Sequence, residues 1–307
     1  MKNIKYLLPF LLFACNTDIS PELPQADAPV AIDAFIYHKA EDQVITVIRA
    51  NQYFDRSTPE GVSNAQVTVV DLENDDVYFF AEDTPGSYVW TPESPTDTFG
   101  IIGNSYLMNV EFEGRTYNAL SSINRVVPVD SITWRLEEEE PFSDGDYFVG
   151  EFWSTDAPGE GDAYWIKSWK NGVILNKPSE INIAIDGAFS EGDNADNITF
   201  IPPIRDAVSP FEFDDDDVLI DPFVIGDSLY VEINSLTREA HFFLQSVQIQ
   251  TDREGGFGEL FATPLANVPG NIFSSDPDEK VVGFFSMSAS LGLGRVLTEE
   301  AIREVPE

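Results

Sequence analysis

Cysteine occurs once in these 307 residues, at Cys15, and histidine only twice, at His38 and His241. A disulfide within the chain is therefore excluded, and a catalytic centre built on a thiolate or an imidazole has almost nothing to draw on. His38 ("FIYHKA") and His241 ("EAHFFL") both stand in strand-like contexts, where a single histidine is usually structural. The patterns HExxH, GxSxG and GxGxxG and the phosphate-binding P-loop are all absent, so the chain reads as non-enzymatic. Cations are scarce as well: 17 Lys and Arg face 54 Asp and Glu, for a net charge of −37. Such a surface repels nucleic acid and anionic headgroups, and no nucleic-acid partner is expected. The apolar run that opens the chain, Tyr6 to Phe13, is far shorter than the roughly 20 residues needed to cross a bilayer.

That short run has another use. Lys2 and Lys5 precede it, giving the positive and apolar regions of a secretory signal over residues 1–14. It ends Leu12-Phe13-Ala14-Cys15, which resembles a bacterial lipobox, although Phe13 replaces the small residue usual there. The resemblance implies cleavage before Cys15 and acylation of its thiol, palmitate included, with several chains giving stable anchoring at about 0.8 kcal/mol per buried CH₂. Asn16 stands where an aspartate would retain such a lipoprotein in the inner membrane, and Asp18 and Glu22 resemble an acidic surface-export signal. The expected location is the outer membrane, lipid-anchored and surface-exposed. Residues 15–28, aperiodic and carrying Pro21 and Pro24, read as a flexible tether.

Beyond the tether, 43% apolar and 12% aromatic residues place the chain among globular proteins despite its charge. The dominant pattern has period two. In "SYLMNVEF", Tyr106, Met108, Val110 and Phe112 fall on one face and Asn109 and Glu111 on the other, and Val67 and Val69 alternate in "NAQVTVVD". Glu113-Gly114 and Asn171-Gly172 are hairpin turn signals. No long stretch keeps a 3.6-residue period, and the clearest helix candidate is "TEEAIRE", capped by Thr298. The expected fold is all-β: an N-terminal immunoglobulin-like or transthyretin-like β-sandwich over 29–127, a second β-rich, sandwich-like domain over 128–297, and a short C-terminal helix or tail over 298–307.

Several segments carry a resemblance: "AIDAFIY", "GVSNAQVTVVD", "VPVDSITW", "IGDSLYVEINSLTREAHFFL", "LFATPLANVPGNI" and "VVGFFSMSAS". Together they resemble domain-of-unknown-function family 4249, outer-membrane lipoproteins associated with TonB-dependent receptors. The resemblance implies a non-enzymatic accessory to such a receptor barrel in nutrient capture or uptake. It brings no catalytic residues with it. The alternative is a stand-alone surface glycan-binding or adhesion module, calcium-dependent through its acidic loops.

Two candidate sites come from the residues themselves. In "DAYWIKSWKNG", Trp165, Lys167 and Trp169 share one strand face, and Trp153 in "DYFVGEFWS" is close in sequence, so these tryptophans are a candidate ligand platform. Asp214, Asp215, Asp216 and Asp217 form an unbroken run able to supply oxygen ligands to Ca²⁺, and "GDNADN" offers Asp193, Asn194, Asp196 and Asn197. Neither stretch has the EF-hand pattern. In "TPLANVPGNI", Pro264, Pro269 and Gly270 mark a structured loop ahead of the strand "VVGFFSMSAS".

Overall fold

The computed structural model describes residues 28–51, 55, 57–138, 146–189, 196–212, 218–253 and 266–304. It is all-β, with 46% strand and 10% helix. The first unit opens with β1 (Val30–Tyr37), β2 (Gln43–Arg49), β3 (Glu60–Gly61) and β4 (Gln66–Asp71). β5 (Val77–Thr84), β6 (Ser87–Trp90), β7 (Ser105–Phe112) and β8 (Arg115–Ser122) follow. Period two decides their faces. Tyr106, Met108, Val110 and Phe112 are buried along β7 while Glu111 is exposed, and Val67 and Val69 are buried on β4. Glu113-Gly114 and Asn171-Gly172 both take positive φ, the conformation of a type I′ hairpin turn.

β5 turns the corner of the sandwich. Val77 to Phe80 pair with β4, and Ala81 to Thr84 pair with β6 across a register shift, so one strand serves both layers. Buried side chains from the two layers, among them Ile32, Val47, Tyr88, Met108 and Tyr117, form one apolar core.

The second unit holds β9 (Ser131–Glu137), β10 (Tyr147–Trp153), β11 (Ala163–Lys170), β12 (Val173–Leu175) and β13 (Asn182–Ile185). It continues through a short helix α1 (Pro202–Asp206), β14 (Ser228–Leu236) and α2 (Arg238–Thr251). Last come β15 (Phe273–Ser274), β16 (Val281–Ser288) and β17 (Ser290–Val296). β9 pairs with β10, while β11 lies between β12 or β13 and β14, with β17 beyond β14. Trp134, Phe152, Tyr164 and Phe200 fill the core between these layers. Full burial of each such side chain contributes on the order of 1.5–3 kcal/mol.

Two features depart from the sequence reading. Residues 273–288 belong in sequence to the second unit, yet β15 pairs with β8 and β16 lies parallel to β1, Val30 opposite Val281. The chain then passes through buried Ala289 straight into β17, which pairs with β14. A single extended run, 281–296, thus stitches the two units together. The "VPGNI" loop secures it: Asn271 donates to Leu120 O and Phe285 O and accepts from Phe285 N, bridging β8 and β16.

The helices also differ. α2 is a 14-residue helix where the sequence reading saw no helical period. Thr237 caps it by accepting from the Ala240 N–H at 3.2 Å, Glu239 favours its positive end, and Ala240, Leu244 and Val247 keep helical spacing. The run "HFFL" masks that period, so His241 sits buried on a helix, not in a strand. The helix expected at 298–304 is a single 3₁₀ turn, Glu299–Ala301, without a side-chain cap from Thr298. Arg303 N–H donates to Trp134 O at 2.7 Å and draws the chain out of helical geometry.

Candidate functional site

From Tyr164 onward β11 alternates. Tyr164, Ile166, Ser168 and Lys170 point into the core, and Trp165, Lys167 and Trp169 stand half-buried on the opposite face. Their cross-strand partners on β14 are Asn234, Glu232 and Tyr230. Trp165 and Trp169 lie about 13 Å apart along the strand and take different neighbours. Trp169 meets Tyr230 edge-on at 5.3 Å, and the Tyr230 ring lies over Gly292, where an added Cβ would come within 2.2 Å of its hydroxyl. Trp153 is elsewhere, on β10, with its indole N–H donating to Thr133 and its ring beneath the Arg205 guanidinium at 3.9 Å. The three tryptophans are therefore not gathered into one platform.

Trp165 turns into a cleft of about 410 Å³ where the two units and α2 meet. Such a volume is in the range of small-molecule sites. Its floor is aromatic: Phe35 of β1 meets Trp165 edge-on at 5.6 Å, and Phe284 of β16 stacks on Phe243 of α2 at 4.5 Å. Ile174, Leu175 and Ile181 form the facing wall, with Asn176 and Glu180 as its polar groups. Asp33 stands exposed at the mouth.

The cation of this cleft is Lys167. Its Nζ lies 4.1 Å from the Trp165 ring and 4.3 Å from the Tyr37 ring, and it donates to the Tyr37 hydroxyl. Glu232, its cross-strand neighbour, is instead paired with Lys39 at 2.7 Å. Among the described residues no carboxylate comes within 4.0 Å of Lys167 Nζ. Burial pushes its pKa down to about 8, reinforced by Lys39 and opposed by Glu232, Asp33 and Glu41. Although the Asp33 residue keeps part of its surface open, desolvation of its carboxyl by the surrounding cleft raises its pKa above the usual range, against the pull of Lys167.

Asp214 to Asp217, the calcium candidate, lie outside the described residues, as do Cys15 and the tether through residue 27. Asp193 and Asn194 fall outside them too. The described end of that acidic loop reaches a different set of carboxylates. Asp156, Asp162 and Asp186 bring oxygens within 4.8 Å of one another, and Asp196 accepts from the nearby Gly159 N–H at 2.8 Å. These three could hold a hard divalent cation. They are also tied internally: Asp156 accepts from Tyr164, Asp162 from Arg125, and Asp186 from the N–H groups of Gly161 and Asp162. Burial raises the Asp156 carboxyl, with Asp162 and Asp186 adding to the effect.

A second polar centre is structural. Glu151, 1% exposed, receives Arg303 at 2.5 and 2.8 Å and Arg135 at 3.1 Å, and Arg135 also holds Asp206 at 3.0 Å. Burial alone would raise the Glu151 carboxyl, but the arginines outweigh it and hold it below its usual range.

The family described as a domain of unknown function (DUF4249) matches residues 16–291. The chain belongs to that family. No curated protein matches it. The matched span includes every residue of the cleft in this DUF4249 protein. Sequence reasoning found Trp165 and noted Lys167 beside it, and missed Asp33, Phe35, Phe243 and Phe284. The available signal was the aromatic content of "AIDAFIY", "HFFL" and "GFF", but nothing local shows that they converge.

Proposed function

We propose that this DUF4249 protein is a non-enzymatic lipoprotein of the outer membrane. It is anchored through acylated Cys15, faces outward, and assists a TonB-dependent receptor barrel in capturing or taking up a nutrient. The observation that carries this reading is the aromatic cleft between the two β-units. It has the size and the mixed apolar and charged lining of a small-molecule site. Among the described residues its lining is dominated by aromatic and branched apolar side chains, which suits the binding of a small molecule. The position of Cys15 at the end of a signal-like run supplies the anchor, and the tether gives reach above the membrane.

Affinity isolation of the tagged full-length chain from gently solubilised outer membranes tests this reading. One TonB-dependent barrel recovered in stoichiometric amount supports it, and recovery of the lipoprotein alone contradicts it. A second reading, a glycan-binding surface module, draws on the Trp169–Tyr230 pair, since Tyr230 is 39% exposed on the open part of the sheet face. Direct glycan affinity lost on Trp169→Ala would favour that second reading.

A further inference from the structure

We propose that the inter-unit cleft binds a small organic acid with an aromatic or branched apolar body. The ligand's carboxylate sits on Lys167 and its body on the floor of Phe35, Trp165, Phe243 and Phe284. This deepens the reading of the chain as a ligand-capturing accessory and rests on it.

The argument starts from the ammonium group of Lys167. It has three donors, and the structure gives it one oxygen partner, the Tyr37 hydroxyl. The remaining contacts are the faces of Trp165 and Tyr37, which favour a cation and accept no conventional hydrogen bond. A desolvated cation with unused donors, in a cavity, is a group that an anionic ligand would complete. The nearby acids do not fill that role: Glu232 is held by Lys39, and Asp33 stands at the mouth beyond pairing distance.

The rest of the lining selects the body of the ligand. α2 presents only Phe243, Leu244 and Val247, and the opposite wall gives Ile174, Leu175 and Ile181. Flat rings or branched chains bury well there. A volume of about 410 Å³ suits a single compact molecule. Asp33 and Glu180 at the rim disfavour a second anionic group on the ligand.

The groups that bear on Lys167 predict a pH signature. Asp33 and Tyr37 face it from β1, Lys39 and Glu41 from the following turn, Glu232 from β14 and Glu180 across the cleft, while α2 contributes no titratable group to the lining. With a pKa of about 8, Lys167 is the group here that changes charge just above neutrality.

The test is calorimetric titration of the full-length chain with indole-3-acetate and, separately, with its neutral amide. The expected result at neutral pH is a preference for the acid of roughly tenfold or more. That preference fades toward about pH 9.5, as Lys167 loses its proton. In Lys167→Met the preference disappears while binding of the amide persists, which shows that the variant is folded. Equal affinity for acid and amide in the native chain overturns the proposal. So does an acid preference that survives Lys167→Met, and so does failure of both probes to bind. Barrel co-isolation is scored on the same material. Loss of the acid preference with the barrel still present removes only the ligand assignment. An acid preference without a barrel removes the receptor reading instead.

Discussion

Lys167 Nζ rests 4.1 Å from the face of Trp165, with no carboxylate within 4.0 Å among the described residues. In a protein whose acids outnumber its bases 54 to 17, an ammonium left without a carboxylate partner calls for a physical account. Aromatic faces and one hydroxyl replace part of its hydration, and the remainder of the desolvation penalty appears as a pKa lowered from 10.5 to about 8.

The first prediction follows by linkage. Below about pH 8 both folded and unfolded chains hold this proton, and the fold carries the full penalty of the buried charge. Between pH 8 and 10.5 the folded chain has released it and the unfolded chain has not, so Lys167 makes stability rise with pH across that window. The full effect is about 3 kcal/mol. Melting temperatures of the native chain and Lys167→Met, compared from pH 7 to 10, should therefore shift progressively in favour of the native chain. A pH-independent difference would show that the lysine is not desolvated.

The second prediction concerns the seam between the units. Gly283 lies on β16 opposite Ile32 with φ of +106°, and a Cβ there would fall 1.9 Å from Ile32 O. Neither the left-handed backbone nor the contact leaves space for alanine. Gly283→Ala should lower stability by about 2–4 kcal/mol. Because Phe284 is the next residue and lines the cleft, any ligand affinity should fall with it. Denaturant unfolding checks the first effect, and an unchanged midpoint would mean that the parallel β1–β16 pair is not formed as described.

A third prediction tests the arginine cluster. Glu151→Gln leaves Arg135, Arg303 and Arg205, whose guanidinium reaches Glu151 at 4.0 Å, converging on a neutral amide, and should cost about 3 kcal/mol or more. Arg303→Ala should cost less, since Arg135 still faces the carboxylate at 3.1 Å. The native carboxyl is held below its ordinary 4.5, so its contribution is complete above that pH and fades as acid titrates it in the fold. Acid unfolding of Glu151→Gln should accordingly be less steep than that of the native chain.

Much of the fold was legible because it is local. Tyr106, Met108 and Val110 announce their face within one strand, and Asn171-Gly172 announces its turn within two residues. The parallel pairing of β1 with β16 spans some 250 residues, and period two says nothing about which distant strand a strand will meet. α2 was hidden because His241, Phe242, Phe243 and Leu244 run together, and its helical spacing shows only once Thr237 is seen to cap it. Trp165 was visible as a candidate for the same local reason that its partners were not. Phe35, Phe243 and Phe284 come from three remote segments and meet it only through the tertiary arrangement.

The proposed place of action of this DUF4249 protein is the outer membrane, where Cys15 would hold it and a receptor barrel would engage it. Native mass spectrometry of the affinity-isolated material, run beside Cys15→Ser, tests it most directly. The account predicts one complex mass equal to a TonB-dependent barrel plus one copy of the chain bearing acyl groups on Cys15, with both the acyl mass and the complex lost in Cys15→Ser. A chain of unmodified mass, or an acylated chain alone with no barrel, would contradict it.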